Sequence, residues 1–202
     1  MTGTARQNGD SNQTTAGESP RIAMSDEERA LLLDLLHVSR DAFVREVEDV
    51  STGEWLLRPD EGAWSVAECA EHIAISEETL RRLVREQILM SPPSPEQAAA
   101  VQGKDGVVIQ AMRDRSRRGK TFDFLEPTGR WPDRMALVAR FHEERAATIA
   151  YVQSTHDPLH AHTSALPALG DLTAFQWLLL LATHTGRHVA QIQEARGRLK
   201  QL

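Results

Sequence analysis

The chain has 202 residues, of which 41% are apolar, enough for one hydrophobic core of ordinary size. With 26% charged residues, a net charge of -6 and no apolar run of about 18 residues, neither a membrane-spanning protein nor a nucleic-acid binder is expected. A lone Cys69 cannot close an intrachain disulfide and suits a reducing, cytoplasmic setting, whereas eight histidines form an unusual excess.

Residues 1–24 lack the apolar core of a secretion signal and are rich in Gly, Ser, Thr, Asn and Gln, which predicts a disordered N-terminal arm. The folded domain is expected over 25–202. Ser25-Asp26-Glu27-Glu28 has the form of a capping box, and Leu32, Leu35, Leu36, Phe43, Val47 and Val50 then share one helical face. His37 lies on the opposite side of that helix, toward solvent.

After the breakers Gly53, Pro59 and Gly62, a second box, Ser65 with Glu68, opens the next helix, and Trp64 can staple against Cys69. Its apolar face holds Val66, Ile73, Leu80, Leu83, Val84 and Ile88. Three prolines within 92–95 end it, and 96–118 read as a shorter helical excursion closing at Gly119. A third long helix is predicted over about 132–154, with Pro132 in its first turn. Pro158, Pro167 and Gly170 mark a loop, after which Asp171 is expected to cap a fourth helix reaching about 199. Four amphipathic segments without an alternating strand predict an all-α four-helix bundle.

Two H-x3-H pairs occur, His156/His160 and His184/His188. Residues four apart on a helix share a face and can bring two imidazoles to one metal. Pro158 interrupts the first pair; the second sits mid-helix, facing or bordering the apolar arc of Val189, Ile192, Ala195 and Leu199. His72 stands at the margin of the second helix's stripe. These three are either hydrogen-bonded boundary histidines or three neutral nitrogen donors from two helices.

Two segments carry a family resemblance. Trp64-Ser65-Val66-Ala67-Glu68-Cys69-Ala70-Glu71-His72-Ile73, preceded by Trp55 and Pro59, is one; Gly170-Asp171-Leu172-Thr173 leading to His184-Thr185-Gly186-Arg187-His188-Val189-Ala190-Gln191-Ile192 is the other. Together they resemble the DinB-like (DinB/YfiT) superfamily of metal-binding four-helix bundles, over about 28–199. The resemblance implies a long crossover between the second and third long helices, which the Pro-rich connection and 96–131 are long enough to supply. It also implies that His72, His184 and His188 are metal ligands, with a divalent metal, zinc or nickel first, as the cofactor.

Proteins of that superfamily include S-transferases using low-molecular-weight thiols, metal-dependent hydrolases and proteins without an assigned activity. The resemblance therefore implies an enzyme acting on a small-molecule substrate by thiol transfer or hydrolysis, with a thiol as a candidate co-substrate and a homodimer as a candidate assembly. The alternative is a non-catalytic ligand-binding or interaction bundle with a structural metal or polar histidine core. Gln191 continues the His184/His188 face, Glu68 lies one turn before His72, and His142 falls among Val138, Phe141, Ile149 and Val152; each is a candidate pocket or supporting group. Cys69 reads as a small core residue rather than a nucleophile. His156, His160 and His162 read as loop residues able to rim the mouth. The basic run 113–120 reads as a solvated helix end or an attractor for an anionic substrate.

Overall fold

Serine and threonine caps set most of the helix starts. The computed structural model describes residues 22–116, 121–131 and 133–200. Helix α1 (Asp26–Glu48) begins at a reciprocal capping box in which Ser25 Oγ accepts from the Glu28 amide and the Glu28 carboxylate accepts from the Ser25 amide. The same device, built from Ser51/Glu54, opens the single turn α2 (Thr52–Trp55), and Ser65/Glu68 opens α3 (Val66–Arg82). Helix α3 runs on through a widened π turn, Leu83–Ile88, and releases the chain at Pro92 and Pro93. Two short helices, α4 (Pro95–Ala100) and α5 (Asp105–Arg113), and a 3-10 turn at Asp123–Leu125 fill the crossover.

Helix α6 (Arg134–Ser154) is capped by Asp133, whose carboxylate accepts from the Ala136 amide at 2.8 Å. The helix therefore starts about two residues later than the expected 132, and the expectations on Pro132 and Gly119 themselves lie outside the described residues. Replacing Asp133 by alanine is expected to cost about 0.5–2 kcal/mol of stability, seen as a lower urea midpoint at unchanged m-value.

Between α6 and the last helix the chain forms two strands where a loop was expected. Thr163–Leu166 (β1) and Gly170–Thr173 (β2) form an antiparallel hairpin, paired from Thr163↔Thr173 to Leu166↔Gly170. Gly170 takes φ +72° at the close of the turn, a conformation that a side chain disfavours. Asp171 thus belongs to a strand. Helix α7 (Ala174–Leu199) starts three residues later, from a box made by Thr173 and Gln176.

The long helices α1, α3, α6 and α7 form the bundle: α1 and α3 each pack on both α6 and α7. Arg29 near the start of α1 reaches the Thr155 carbonyl at the end of α6 (2.9 Å), and Arg134 at the start of α6 reaches the Val50 carbonyl (2.7 Å), so these two run antiparallel. Arg196 late in α7 meets Glu46 late in α1 at 2.6 Å, so that pair is parallel. One end of the core joins Leu32, Leu36, Val84, Ile88, Val152 and Leu178; the other joins Phe43, Val47, Ile73, Phe141 and Ile192. Helix α3 is therefore parallel to α6, and a parallel neighbour requires a crossover that carries the chain back along the bundle. Part of that crossover, α5, packs along α7. Ala174 to Ala182 are consequently buried on every side, as their nearly uninterrupted apolar sequence demands.

At the N-terminal boundary Met24 is buried in the core and the Ile22 carbonyl accepts from the His160 amide. Of the arm expected over 1–24, Met24 is buried while the side chains of Ile22 and Ala23 are exposed; the remainder lies outside the described residues. Among the described residues, no helix is long and apolar enough to cross a membrane.

Candidate metal centre

Helices α3 and α7 run antiparallel, and near their midpoints they bring His72, His184 and His188 together. One nitrogen from each ring lies within 4.8 Å of the other two. His184 Nε2 stands 3.4 Å from His72 Nε2 and 3.2 Å from His188 Nε2. Two nitrogens bound at about 2.05 Å to one tetrahedral ion would stand about 3.3 Å apart.

The other ring nitrogens decide the protonation pattern. His72 Nδ1 lies 2.9 Å from the Leu125 carbonyl oxygen, which can only accept, so Nδ1 donates and Nε2 carries the lone pair. His188 Nδ1 donates to Gln191 Oε1 at 2.9 Å, with the same consequence. His184 can donate its Nε2 proton toward only one of these neighbours. At least one of the two inward lone pairs is then left without a donor inside the cluster, a deficit that a bound cation relieves.

Electrostatics point the same way. Burial pushes all three imidazoles below their ordinary value, His184 down to about 3, with the neighbouring His72 and Arg187 adding to the effect. For His188 burial acts first, followed by His184 and His72. The cluster is neutral at physiological pH, as metal ligands must be. Trp64 packs against it, its ring centroid 5.0 Å from that of His72 and 6.2 Å from that of His188, while His184 keeps part of its surface accessible.

Of the supporting candidates, the structure brings in only Gln191. Glu68 is occupied elsewhere: its carboxylate accepts from the Ser65 amide and pairs with Arg58. Partial burial opposes ionisation of Glu68, but these bonds hold its pKa below the ordinary carboxylate value. His142 is exposed on the outer side of α6. The buried stripe of that helix is Leu137, Phe141, Glu144, Arg145, Thr148, Ile149 and Val152, which leaves His142 facing away.

The remaining histidines do not join the cluster. His37 is half-buried and His156 exposed; His160 meets Glu28 at 3.2 Å, and Nδ1 of buried His162 donates to the Ser91 carbonyl at 3.0 Å. His160 and His162 lie by the start of α7 and His156 just past the end of α6, whereas His184 is ten residues into α7, about 15 Å along its axis, so they do not rim this site. Cys69 is fully buried, and burial, with Glu68 nearby, pushes its thiol up to about 12, which removes it as a nucleophile. From the basic run, Arg115 forms a two-pronged pair with Glu194 at 2.8 and 2.6 Å and reaches the Arg187 carbonyl; residues 117–120 lie outside the described set. Arg187 reaches the Met112 and Asp114 carbonyls and pins the crossover to α7.

Two contributors went unseen in the sequence: the Leu125 carbonyl and Glu71. Glu71 is buried, and its carboxylate accepts from the amides of Thr128, Gly129 and Arg130 in the crossover loop. A backbone carbonyl carries no residue signature. The signal for Glu71 was only its place beside His72 on a largely buried helix.

The family model described as the DinB superfamily matches residues 35–192. The uncharacterized protein YuaE of Bacillus subtilis is 19% identical over 155 residues, covering 77% of this chain and 91% of that one. The solved structure of YfiT from Bacillus subtilis, described as a probable metal-dependent hydrolase with an unusual four-helix bundle topology, superposes with a TM-score of 0.56 at 19% identity, over 91% of this chain and 94% of that one.

Proposed function

The chain belongs to the DinB superfamily, and from that premise we propose that it is a metal-dependent enzyme for a small-molecule substrate, acting by hydrolysis through His72, His184 and His188. The observation that carries this reading is the convergence of three Nε2 atoms at 3.2 and 3.4 Å spacing, with Nδ1 of His72 and His188 committed to acceptors. A divalent metal held there supplies Lewis acidity that activates water, or equally a thiol co-substrate, near neutral pH. Zinc is the first choice and nickel the second, since imidazole donors suit both.

The protein's own groups prepare that chemistry. Leu125 and Gln191 hold two rings in the tautomer that presents Nε2 inward. Trp64 covers the imidazoles from one side and limits water there, while partly exposed His184 marks the side from which a substrate approaches. Three protein ligands leave room in a four-coordinate shell for an exchangeable group, the pattern of a catalytic rather than a structural site. Hydrolysis is preferred to thiol transfer because the structural relative YfiT is described as a probable metal-dependent hydrolase.

The test is elemental analysis of gently prepared protein, followed by titration with zinc and nickel. About one equivalent per chain is expected. No metal on isolation and no uptake on titration would sink the proposal. Absorption spectra of the cobalt-substituted protein then separate the two chemistries: an intense sulfur-to-cobalt band on adding small thiols favours transfer, and its absence favours hydrolysis.

A further inference from the structure

We propose that Glu71 is a positioning residue for this centre: it clamps the crossover loop onto α3 so that the Leu125 carbonyl fixes the ring of His72. The proposal rests on the reading of His72 as a metal ligand, but its first consequence concerns the protein without metal.

The loop is tied into one unit by its own bonds. The Leu125 amide donates to the Phe122 carbonyl at 2.8 Å, and Arg130 Nη2 donates to the Phe124 carbonyl at 3.0 Å. It then meets α3 at two adjacent residues. Glu71 Oε1 accepts from the amides of Thr128 (2.9 Å) and Arg130 (3.0 Å), and Oε2 accepts from that of Gly129 (2.9 Å). Gly129, at φ +76°, turns the backbone so that successive N–H groups converge on one carboxylate, an anion-binding nest filled by the protein itself.

One residue on, His72 Nδ1 donates to the Leu125 carbonyl at 2.9 Å. Neither attachment is replaceable by solvent at low cost, because both Glu71 and His72 are buried. Released from Glu71, the loop no longer holds its carbonyl in place, and His72 can rotate or exchange tautomers. Glutamine is a poor substitute, since its amide would set a donor against one of the three donors in the nest. Linkage makes the effect reciprocal: whatever docked loop adds to metal affinity, bound metal adds to loop docking.

The experiment uses the full-length protein and the variants Glu71→Gln and Glu71→Ala, with Val152→Ala at the far end of the core as a control for general destabilisation. Three quantities are read: amide hydrogen exchange at 125, 126 and 128–130 without metal, the 15N shifts that report the His72 tautomer, and zinc affinity by chelator competition. Both Glu71 variants are expected to exchange loop amides at least about tenfold faster, to lose the single His72 tautomer and to bind zinc about 10–100-fold more weakly. Val152→Ala is expected to lower the melting temperature while leaving all three unchanged. Should Glu71→Ala fail to fold, Glu71→Gln carries the test. An unaltered tautomer and zinc affinity in a variant whose loop is released would overturn the proposal, as would a loop that stays protected. If the wild-type protein takes up no zinc, the metal reading fails by itself, and exchange and tautomer still decide the role of Glu71.

Discussion

Replacing Arg145 by methionine is expected to destabilise the protein by about 3–5 kcal/mol, the usual cost of leaving one partner of a buried ion pair without the other. Arg145 is 0% exposed and Glu77 1% exposed, and they form a two-pronged pair at 2.9 and 2.8 Å in the middle of the bundle. The guanidinium also donates to the Leu36 carbonyl, Ser39 Oγ and Thr185 Oγ1, while Thr148 donates to Glu77. All four long helices thus meet at one cation. Removing the cation alone strands the carboxylate of Glu77 away from water. Removing both, as Arg145→Met with Glu77→Leu, should restore much of the loss, because the large penalty belongs to the unpaired charge. Urea denaturation of the two single variants and the double variant measures this; additive losses would show that the pair does not act as a unit. Thr185 follows His184 directly, so the same variant should also loosen the rotation of α7 at the histidine pair.

That network explains where the sequence was legible and where it was not. Ser25 with Glu28 and Ser65 with Glu68 announce their helices because a capping box is a local device, visible within four residues. Leu32, Leu36, Phe43 and Val47 on α1, and Val66, Ile73 and Val84 on the second long helix, are buried as their spacing predicts. Helix α6 defeats the same reading because Glu144, Arg145 and Thr148 occupy its buried stripe, their polarity satisfied by residues distant in sequence. A hydrophobic wheel centred without them turns toward His142, which the structure leaves outside. The β1–β2 hairpin was missed because four-residue strands offer too little alternation to register. The His184/His188 spacing and the place of His72 at its helix's apolar margin were readable as one possible donor set, and the family resemblance favoured the metal over the hydrogen-bonded alternative. Its support by Leu125 and Glu71 depends on how the crossover loop lands, which no local pattern encodes.

Loss of one imidazole from the cluster is expected to have the largest effect on the centre itself. His184→Ala and His188→Ala should each weaken zinc binding by more than the about 10–100-fold that follows loss of a supporting group, and Gln191→Ala should fall within that range. The pH dependence distinguishes these desolvated imidazoles from ordinary surface ones. Their pKa values in the folded state are lowered, that of His184 to about 3, against an ordinary value of 6.5. Below about pH 6.5 the unfolded chain therefore binds protons that the folded chain refuses, so the metal-free protein loses stability as pH falls through and below that point. Above about pH 7.5 both states are neutral at these positions and their contribution is flat. Because the ligands are already deprotonated, zinc affinity should change little between about pH 8 and pH 6, where exposed histidines would begin to lose the metal to protons. His184→Ala should then do two opposite things: weaken metal binding and make the metal-free protein less sensitive to acid. Thermal melts of the chelator-treated wild type and variant between about pH 5 and pH 8 test the second effect. A variant that is equally acid-sensitive would show that His184 is not held neutral by its surroundings.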